Sequence, residues 1–583
     1  MKKTILFLSS IALGINMFAQ ELMDQIPANS NFVIQLGFDQ MEKIYPTSKL
    51  FKQEIWMDAA KELDVKTLSE TGINYKKPAL FSAEFTDTCN YFSLHYEIAN
   101  SKQYYEFLAK NMRNMELTKN YKGSGITLVK NNQNGYMFVT ETYAVIVFAE
   151  INRNYRRNNI DYLLEVYYEE LRQYEYEYEQ KDAIQGILAR ERMLELLMNK
   201  GNSFKTSKSY QLKDETHEIT VWMNLLFSKL QTINELGFRG LGGVMSILDS
   251  YSVYDVSMEK GAINMDMQMD FSPEIKSEMM ALVKNRKLNP ELFKYLPKER
   301  LMTYALSNDP GAYYQWMKKY IAEAIGRRYF SNGTMNDIVD LIGTILDEKA
   351  ISTLMTGDVV ASWNKMEVIE YEYKSNRYND NFEMEEYVKK RKVEFPQFTV
   401  VTGIQNMDFF QKILNILKRE NLVKEENDYL LIPAGREIPS GLGIYLKNNV
   451  LIISNDFQML NGLKENKDYG KEEMDTETSF YAHLNIRKLF DFLAEETTNF
   501  YEYNGFDFVR KTFDELEIRS ITSQKDHFQV STSLKMVDSK SNAYVSAMNG
   551  LNDMYVKSEV NKDKGKYEFY SAKLNAMIKK YEA

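Results

Sequence analysis

The sequence has very little of the two residue types that most often form metal and redox sites. Cys89 is the single cysteine among 583 residues, so no disulfide can form within the chain, and a small core residue is the expected role of the thiol. The four histidines are His95, His217, His483 and His527. They show none of the short spacings of metal-binding histidines. The sequence therefore predicts no metal site.

Basic residues are in the minority. Lys and Arg number 72 against 82 Asp and Glu, which gives a formal net charge of −10. Nucleic-acid binding requires a basic surface that releases counterions from phosphates, and anionic lipid attracts basic segments. The charge balance predicts no nucleic-acid partner and argues against electrostatic binding to anionic lipid.

Motifs of catalysis are missing as well. The sequence has no G-x-S-x-G elbow of a serine hydrolase. The glycine-rich stretch 237–243 lacks the lysine of a phosphate loop and the preceding parallel strand of a dinucleotide site, so a turn into a helix is expected there. Asp266 and Asp270 alternate with apolar residues along one strand, which places both on a wet face. The sequence predicts no catalytic residue and no cofactor.

The only long hydrophobic run is at the start of the chain. Lys2 and Lys3 precede the uncharged run Ile5 to Phe18, and Ala19 follows it. The run is too short for a membrane span, which needs roughly 20 residues, and the pattern is typical of a secretory signal cleaved after Ala19. We expect an exported, periplasmic protein with no membrane span in the mature chain; secretion is also possible.

The chain repeats itself with a nearly constant offset. Three segments have a later counterpart in the same order: residues 26–39 with 296–309, residues 92–108 with 398–414, and residues 263–271 with 528–536. In the second pair a strand ends in Asn100 or Asn406, each a good N-cap for the helix that follows. Three-stranded meanders follow both helices, and Asn448-Asn449 is expected to form a turn of the second.

These matches indicate a tandem duplication. Tight turns between strands produce antiparallel pairs, so the predicted class is α+β: two lobes of mainly antiparallel sheet with packed helices. The predicted boundaries are a signal peptide at 1–19, a first lobe at 20–290, and a second lobe at 291–583. The second lobe ends in an amphipathic helix from Lys566 onwards.

Two insertions distinguish the lobes. Residues 157–200 carry apolar and aromatic side chains at helical spacing and form either one helix or a hairpin broken near Gln180–Asp182. The stripe consists of Leu164, Tyr167, Leu171, Tyr174 and Tyr178. It either packs on the parent lobe or forms a surface for another envelope protein, since Tyr combines contact area with a polar rim group. The second insertion, Glu370–Glu394, is charged and expected to be a surface excursion.

Three segments resemble a known family. These are residues 26–43 (IPANSNFVIQLGFDQMEK), 354–364 (LMTGDVVASWN) and 371–406. They are similar to a domain-of-unknown-function family of exported proteins from Bacteroidota, many of them predicted lipoproteins. The resemblance implies export but no activity, cofactor or site residue. This chain departs from the family because no cysteine directly follows Ala19.

Three functions follow from these patterns. The first is an exported, non-enzymatic envelope protein with a structural or protein-interaction role, mediated by the helical insertion. The second is a periplasmic binding protein for an apolar or glycan ligand in the cleft between the lobes, because such clefts are favoured pockets. The third is a carboxylate-dependent enzyme of unknown type. The oligomeric state is left open.

Overall fold

The computed structural model describes most of the chain. The described residues are 22–112, 115–123, 126–130, 136–198, 203–212, 217–225, 250–283, 286–316, 319, 353–378, 384–426, 429–434, 438, 440–465, 478–521 and 528–582. The predicted signal segment 1–19 and the glycine-rich stretch 237–243 lie outside them. Helices and antiparallel strands alternate along the described chain, so the predicted α+β class is confirmed.

The chain forms two compact units. Unit 1 combines the chain up to Ile275 with Leu493–Phe513 and the chain from Ser533 onwards, and unit 2 combines Lys276–Phe492 with Asp514–Thr532. The predicted lobe boundaries at 20–290 and 291–583 rest on the sequence repeat, and they stay a prediction.

The helices of unit 1 come from both ends of the sequence. In chain order they are α1 (Phe38–Ile44), α2 (Thr47–Leu50), α3 (Glu54–Glu62), α4 (Ser101–Asn111), α5 (Arg153–Val166), α6 (Tyr168–Leu171), α7 (Glu177–Met198) and the start of α8 (Pro273–Val283), most of which belongs to unit 2. Unit 2 contains α9 (Pro310–Trp316), α10 (Met407–Arg419), α11 (Phe457–Lys464) and most of α12 (Ile486–Glu496). Unit 1 then resumes with α13 (Phe500–Thr512), α14 (Ala543–Tyr555), a π-helical turn (Val556–Val560) and α15 (Lys562–Glu582).

The strands of unit 1 form a purely antiparallel sheet. They are β1 (Phe32–Leu36), β2 (Ala79–Phe85), β3 (Cys89–Glu97), β4 (Glu116–Thr118), β5 (Thr127–Lys130), β6 (Tyr136–Val139), β7 (Tyr143–Ile151), β8 (Ile219–Leu225), β9 (Ser250–Glu259) and β10 (Ala262–Phe271). Their pairing order is β4-β5-β6-β7-β3-β2-β1-β8-β9-β10.

The strands of unit 2 repeat that order. They are β11 (Met302–Ser307), β12 (Met355–Tyr378), β13 (Met384–Ile404), β14 (Lys424–Glu426), β15 (Tyr429–Ile432), β16 (Leu442–Lys447), β17 (Val450–Ser454), β18 (Thr478–Asn485) and β19 (Phe513–Ile521), and β20 (Phe528–Met536) follows. The pairing order is β14-β15-β16-β17-β13-β12-β11-β18-β19. Each strand thus has the neighbours of its counterpart ten strands earlier. Origin of the two sets by duplication stays a prediction.

Local predictions at the repeated segments are confirmed. Asn100 caps α4 by accepting a hydrogen bond from the Gln103 amide, and Asn406 caps α10 by accepting one from the Phe409 amide. Asn448 and Asn449 have φ values of 50° and 60°, the left-handed pair that a two-residue hairpin turn of type I′ requires.

The main core of unit 1 lies between the sheet and helices from both ends of the chain. Tyr96 and Tyr104 are fully buried and hydrogen-bonded to each other, and the Tyr104 hydroxyl also donates to Met137 Sδ at 2.9 Å. Tyr544, the second residue of α14, belongs to the same cluster. The α14 helix is further tied to this core by Tyr555, whose hydroxyl donates to Asp58 at 2.9 Å.

The two insertions differ from each other in kind. Residues 157–198 fall in a helical hairpin of α5, α6 and α7, and its break lies at Arg172–Tyr176 rather than at the predicted Gln180–Asp182. Tyr174, within this break, packs on the buried cluster of the hairpin. Residues 370–378 and 384–394 extend β12 and β13 as an antiparallel ribbon. It contains thirteen successive pairs from Met366↔Pro396 to Tyr378↔Met384, a length of about 40 Å.

Candidate functional site

The predicted stripe on the insertion has both buried and exposed residues. Leu171 is buried, and Leu164, Tyr167 and Tyr174 pack around the cluster to which it belongs. Tyr178, in contrast, is 64% exposed. Four of the five stripe residues therefore pack within their own unit, as one of the two predicted alternatives requires.

Polar contacts fix the inner face of the hairpin. Arg190 on α7 donates to both carboxylate oxygens of Glu170 on α6, at 2.7 and 2.9 Å. This pair holds the pKa of Glu170 below its ordinary value. Tyr167 donates its hydroxyl to Glu191 at 2.8 Å. Burial, reinforced by this acceptor, raises the pKa of Tyr167. These bonds hold the hairpin to itself.

Other tyrosines face outward from the same hairpin. The exposed ones are Tyr162, Tyr168, Tyr176 and Tyr178, with exposed fractions of 60%, 63%, 51% and 64%. The rings of Tyr176 and Tyr178 are stacked, with their centroids 5.7 Å apart. Helical spacing predicted an aromatic face on this insertion but did not reveal which side of it packs inward.

His95 and Cys89, a base and a nucleophile type in unit 1, are inaccessible. His95 is fully buried, with Nε2 2.8 Å from Ser93 Oγ, and burial lowers its pKa to about 3. Cys89 is also fully buried, and burial raises the pKa of its thiol to about 12. Both side chains are inert core residues, as predicted. Within the described residues no three His, Cys, Asp or Glu side chains are placed to hold a metal ion.

A groove of about 880 Å³ lies along the last helices of unit 1. Its walls come from the end of α12, from α13, from the π-helical turn and from α15. The volume is in the range of small-molecule sites. The groove combines apolar and charged side chains.

The charged wall of the groove is organised around Asp507 on α13. Its side chain is only 5% exposed. Lys511 Nζ and Lys557 Nζ both lie on Oδ2, at 2.8 and 2.9 Å, and Arg510 Nη2 lies 3.0 Å from Oδ1. Burial acts to raise the pKa of Asp507, but the hydrogen bonds from Lys511 and Lys557 outweigh it and leave that pKa below its ordinary value. Asp507 is thus a stable carboxylate that three cationic side chains contact.

The π-helical turn brings Lys557 to this wall. Such turns are rare and occur frequently at functional sites. The turn at Val556–Val560 separates α14 from α15. Within it Lys557 reaches Asp507, and Ser558 Oγ accepts a hydrogen bond from Asn504 Nδ2 at 3.0 Å. The π-helical turn therefore positions Lys557 and Ser558, the side chains that join α13 to the segment before α15.

The floor of the groove is aromatic. Phe569 is 6% exposed, and its ring centroid lies 6.0 Å from that of Phe500 and 4.9 Å from that of Tyr503. A Cβ at Gly565 would lie 3.0 Å from Phe500 Cζ, so a glycine there allows α15 to approach this closely. At the far end Lys573 donates to the carbonyl oxygens of Ala494 and Glu495.

A smaller cavity of about 290 Å³ lies on the other side of the same charges. It shares Asp507, Lys511 and Lys557 with the groove and also touches Asp553. The Asp507 cluster is thus lined by open space on two sides, which makes its ammonium groups accessible. Sequence analysis did not single out these residues, because nothing in the sequence joins positions 507 and 557.

Comparison with known proteins identifies no relative by sequence. No family model matches the chain, and no curated protein matches it. Solved structures that it resembles include crystal form III of TP0453, with 9% identity and a TM-score of 0.23 over 46% of this chain and 88% of that one. Crystal form I of TP0453 gives 8% identity and a TM-score of 0.20 over 43% and 78%. The function is therefore argued from the groove alone.

The helices also bear on membrane association. Among the described helices, none is long and apolar enough to cross a bilayer. This agrees with the prediction of no membrane span.

Proposed function

We propose that the protein is an exported, non-enzymatic binding protein of the cell envelope. Its ligand is an amphiphile with an apolar chain and one anionic group, bound in the groove between α13 and α15. The observation that carries this proposal is that Lys511 and Lys557 share a single carboxylate oxygen of Asp507. An incoming anion therefore finds two ammonium groups that are already positioned and incompletely neutralised.

The rest of the groove suits the apolar part of such a ligand. Phe500, Tyr503 and Phe569 form the floor, and Ala572 and Ala576 leave room above it. Burying apolar chain against these side chains contributes about 0.8 kcal/mol per methylene. A charge-assisted hydrogen bond from each lysine then fixes the orientation of the head group.

Isothermal titration calorimetry of the mature chain with sodium laurate tests this function. We expect saturable binding of laurate and much weaker binding of 1-dodecanol, which lacks the charge. Replacing Lys511 by Gln should weaken laurate binding about tenfold. Lys540→Gln, a lysine outside the groove, is the matched control and should bind as the wild type does. Absence of laurate binding by the wild type would refute the proposal.

Asp507 also bears on the enzyme alternative. A general acid requires a carboxyl group whose pKa is raised toward neutrality. The pKa of Asp507 is instead lowered by its lysine partners. Its chemistry is therefore suited to holding cations in position, which favours binding over acid catalysis at this groove.

A second candidate function is protein interaction through the helical insertion. It is supported by the exposed tyrosines Tyr168, Tyr176 and Tyr178, since exposed Tyr side chains are enriched at interfaces. Affinity capture from envelope extracts, with the wild type and with the triple Tyr→Ser variant at these positions, tests it. A protein retained by the wild type and lost with the variant would support the interaction, and identical captured proteins would refute it.

A further inference from the structure

Helix α15 has a second, outward face that the groove does not use. Its inner face carries Gly565 and Phe569. The outer face carries Tyr567, Tyr570, Leu574 and Ile578, with exposed fractions of 75%, 53%, 58% and 45%. These positions recur every three or four residues, so they form one stripe about 100° wide along the helix. Every residue from Leu574 to Lys579 is exposed.

The charge of α15 is opposite to that of the chain. Lys562–Glu582 contains six lysines and three acidic residues, which gives +3, whereas the whole chain has a net charge of −10. The net charge of the chain therefore hides a local basic segment. The prediction against binding to anionic lipid used the net charge alone, and this helix is the place where that argument does not apply.

Lysines lie beside the apolar stripe. Lys562 and Lys566 are one turn apart, and their Nζ atoms lie 5.4 and 5.5 Å from the ring centroid of Tyr501. Tyr501 is itself 46% exposed. Lys564 is 77% exposed on the other flank. A basic helix with aromatic and aliphatic residues on one face is the pattern of helices that lie in the membrane interface.

We propose that the outer face of α15 docks on a bilayer surface that contains anionic lipid. The helix lies in the plane of the interface, with Leu574 and Ile578 at the boundary between head groups and acyl chains and with the flanking Lys564 and Lys566 at the anionic head groups. Charge complementarity selects this partner over a second copy of the chain, because two basic helices of the same kind repel each other. The proposal does not depend on the ligand of the groove.

Vesicle co-sedimentation of the mature chain tests the proposal. One set of vesicles contains equal parts of phosphatidylglycerol and phosphatidylcholine, and the other contains phosphatidylcholine alone. We expect binding to the anionic vesicles, weaker binding to the neutral ones, and release as the salt concentration rises. Absence of binding to anionic vesicles, or equal and salt-independent binding to both, would overturn the proposal.

Two exposed pairs give a matched comparison. The test variant is Leu574→Ser with Ile578→Ser, whose side chains are 58% and 45% exposed, and the control is Leu422→Ser with Ile416→Ser, at 58% and 48%. The test variant should bind anionic vesicles at least about tenfold more weakly, while the control binds as the wild type does. Equal binding by both variants would contradict the assigned surface.

A charge variant provides a second measurement. Lys564→Glu with Lys579→Glu should reduce binding to anionic vesicles without changing the apolar stripe. Light scattering without vesicles tests whether a second copy of the chain covers this face instead. If the wild type is a dimer and the Leu574/Ile578 variant is a monomer, the face belongs to a second copy and the membrane proposal is refuted. Lys511→Gln should leave vesicle binding unchanged, so failure of the groove ligand and failure of this proposal are separable.

Discussion

The carboxylate of Asp507 binds Lys557 at 2.9 Å across fifty residues of sequence. This contact joins α13 to the π-helical turn before α15. Because α13 and α15 form the walls of the groove, the bond positions the groove as well as the ammonium group. Its strength can be measured without any ligand.

Replacing Asp507 by Asn should destabilise the chain by about 2 kcal/mol, because it leaves Lys511, Lys557 and Arg510 near one another without their shared anion. Urea unfolding measures this loss. A double-mutant cycle with Lys557→Met should give a coupling energy of about 1 kcal/mol. The exposed pair Asp58 and Lys61 provides the control cycle, in which we expect no measurable coupling.

The same pair predicts a dependence on pH. The pKa of Asp507 is lower in the folded chain than its ordinary value of 3.8. Its contribution to stability is therefore fully present above that value and is lost as the pH falls through the folded pKa. Asp507→Asn should remove this acid-labile part, which is seen as a shallower loss of stability below about pH 4. Parallel curves for wild type and variant in this range would contradict the assignment.

The buried ring of His95 predicts a loss of stability as the pH falls below about 6.5. Burial lowers the pKa of this histidine from 6.5 to about 3, so the folded chain holds the neutral ring and the unfolded chain takes up the proton first. The stabilisation is complete above 6.5 and declines as the pH falls toward 3. Between pH 7 and pH 5 the wild type should lose about 2 kcal/mol of unfolding free energy relative to His95→Gln. His217→Gln, at a partly exposed histidine, serves as the control.

Two residues of the predicted tyrosine and leucine stripe should respond differently to truncation. Leu171 is 2% exposed, whereas Tyr178 is 64% exposed. Leu171→Ala should cost about 3 kcal/mol, because it leaves a cavity in the cluster under the hairpin. Tyr178→Ala should change stability by less than about 0.5 kcal/mol. Equal losses in urea unfolding would mean that the stripe acts as one packed face.

The features that sequence analysis predicted are local ones. Alternating apolar residues marked 263–271 and 528–536 as strands; β20 has the predicted bounds, and β10 begins one residue earlier than predicted. Asn100 and Asn406 were recognisable as N-caps because a cap acts within three residues. The α+β class followed from tight turns between strands. Each of these depends on neighbours in the chain, and periodicity reports such neighbours directly.

The features that sequence analysis missed depend on contacts between residues that are far apart in the chain. The spacing of Asp507 and Lys511 is common on any solvated helix, and only the fold adds Lys557 from the π-helical turn. Similarly, the 3–4 spacing of Leu164 to Tyr178 predicted a helical face, but the cluster of Leu171 with Leu163 and Ile184 decides which side is buried. The net charge of the whole chain also concealed the basic character of α15, because a net charge does not show where along the chain the charged residues lie.

Two helical glycines, one on α13 and one on α15, give the last prediction; these two helices form the walls of the groove. Gly505 on α13 has open space where a Cβ would be, whereas a Cβ at Gly565 on α15 would lie 3.0 Å from Phe500 Cζ and 3.1 Å from the Lys557 carbonyl oxygen. Alanine in a helix is better than glycine by about 0.5–1 kcal/mol, so Gly505→Ala should raise the unfolding free energy by that amount. At Gly565 the clash with a backbone atom opposes this gain, and Gly565→Ala should lower the unfolding free energy and weaken laurate binding. A gain at both positions would show that α15 does not need its close approach to Phe500, and the groove would then lack the floor that the proposed ligand requires.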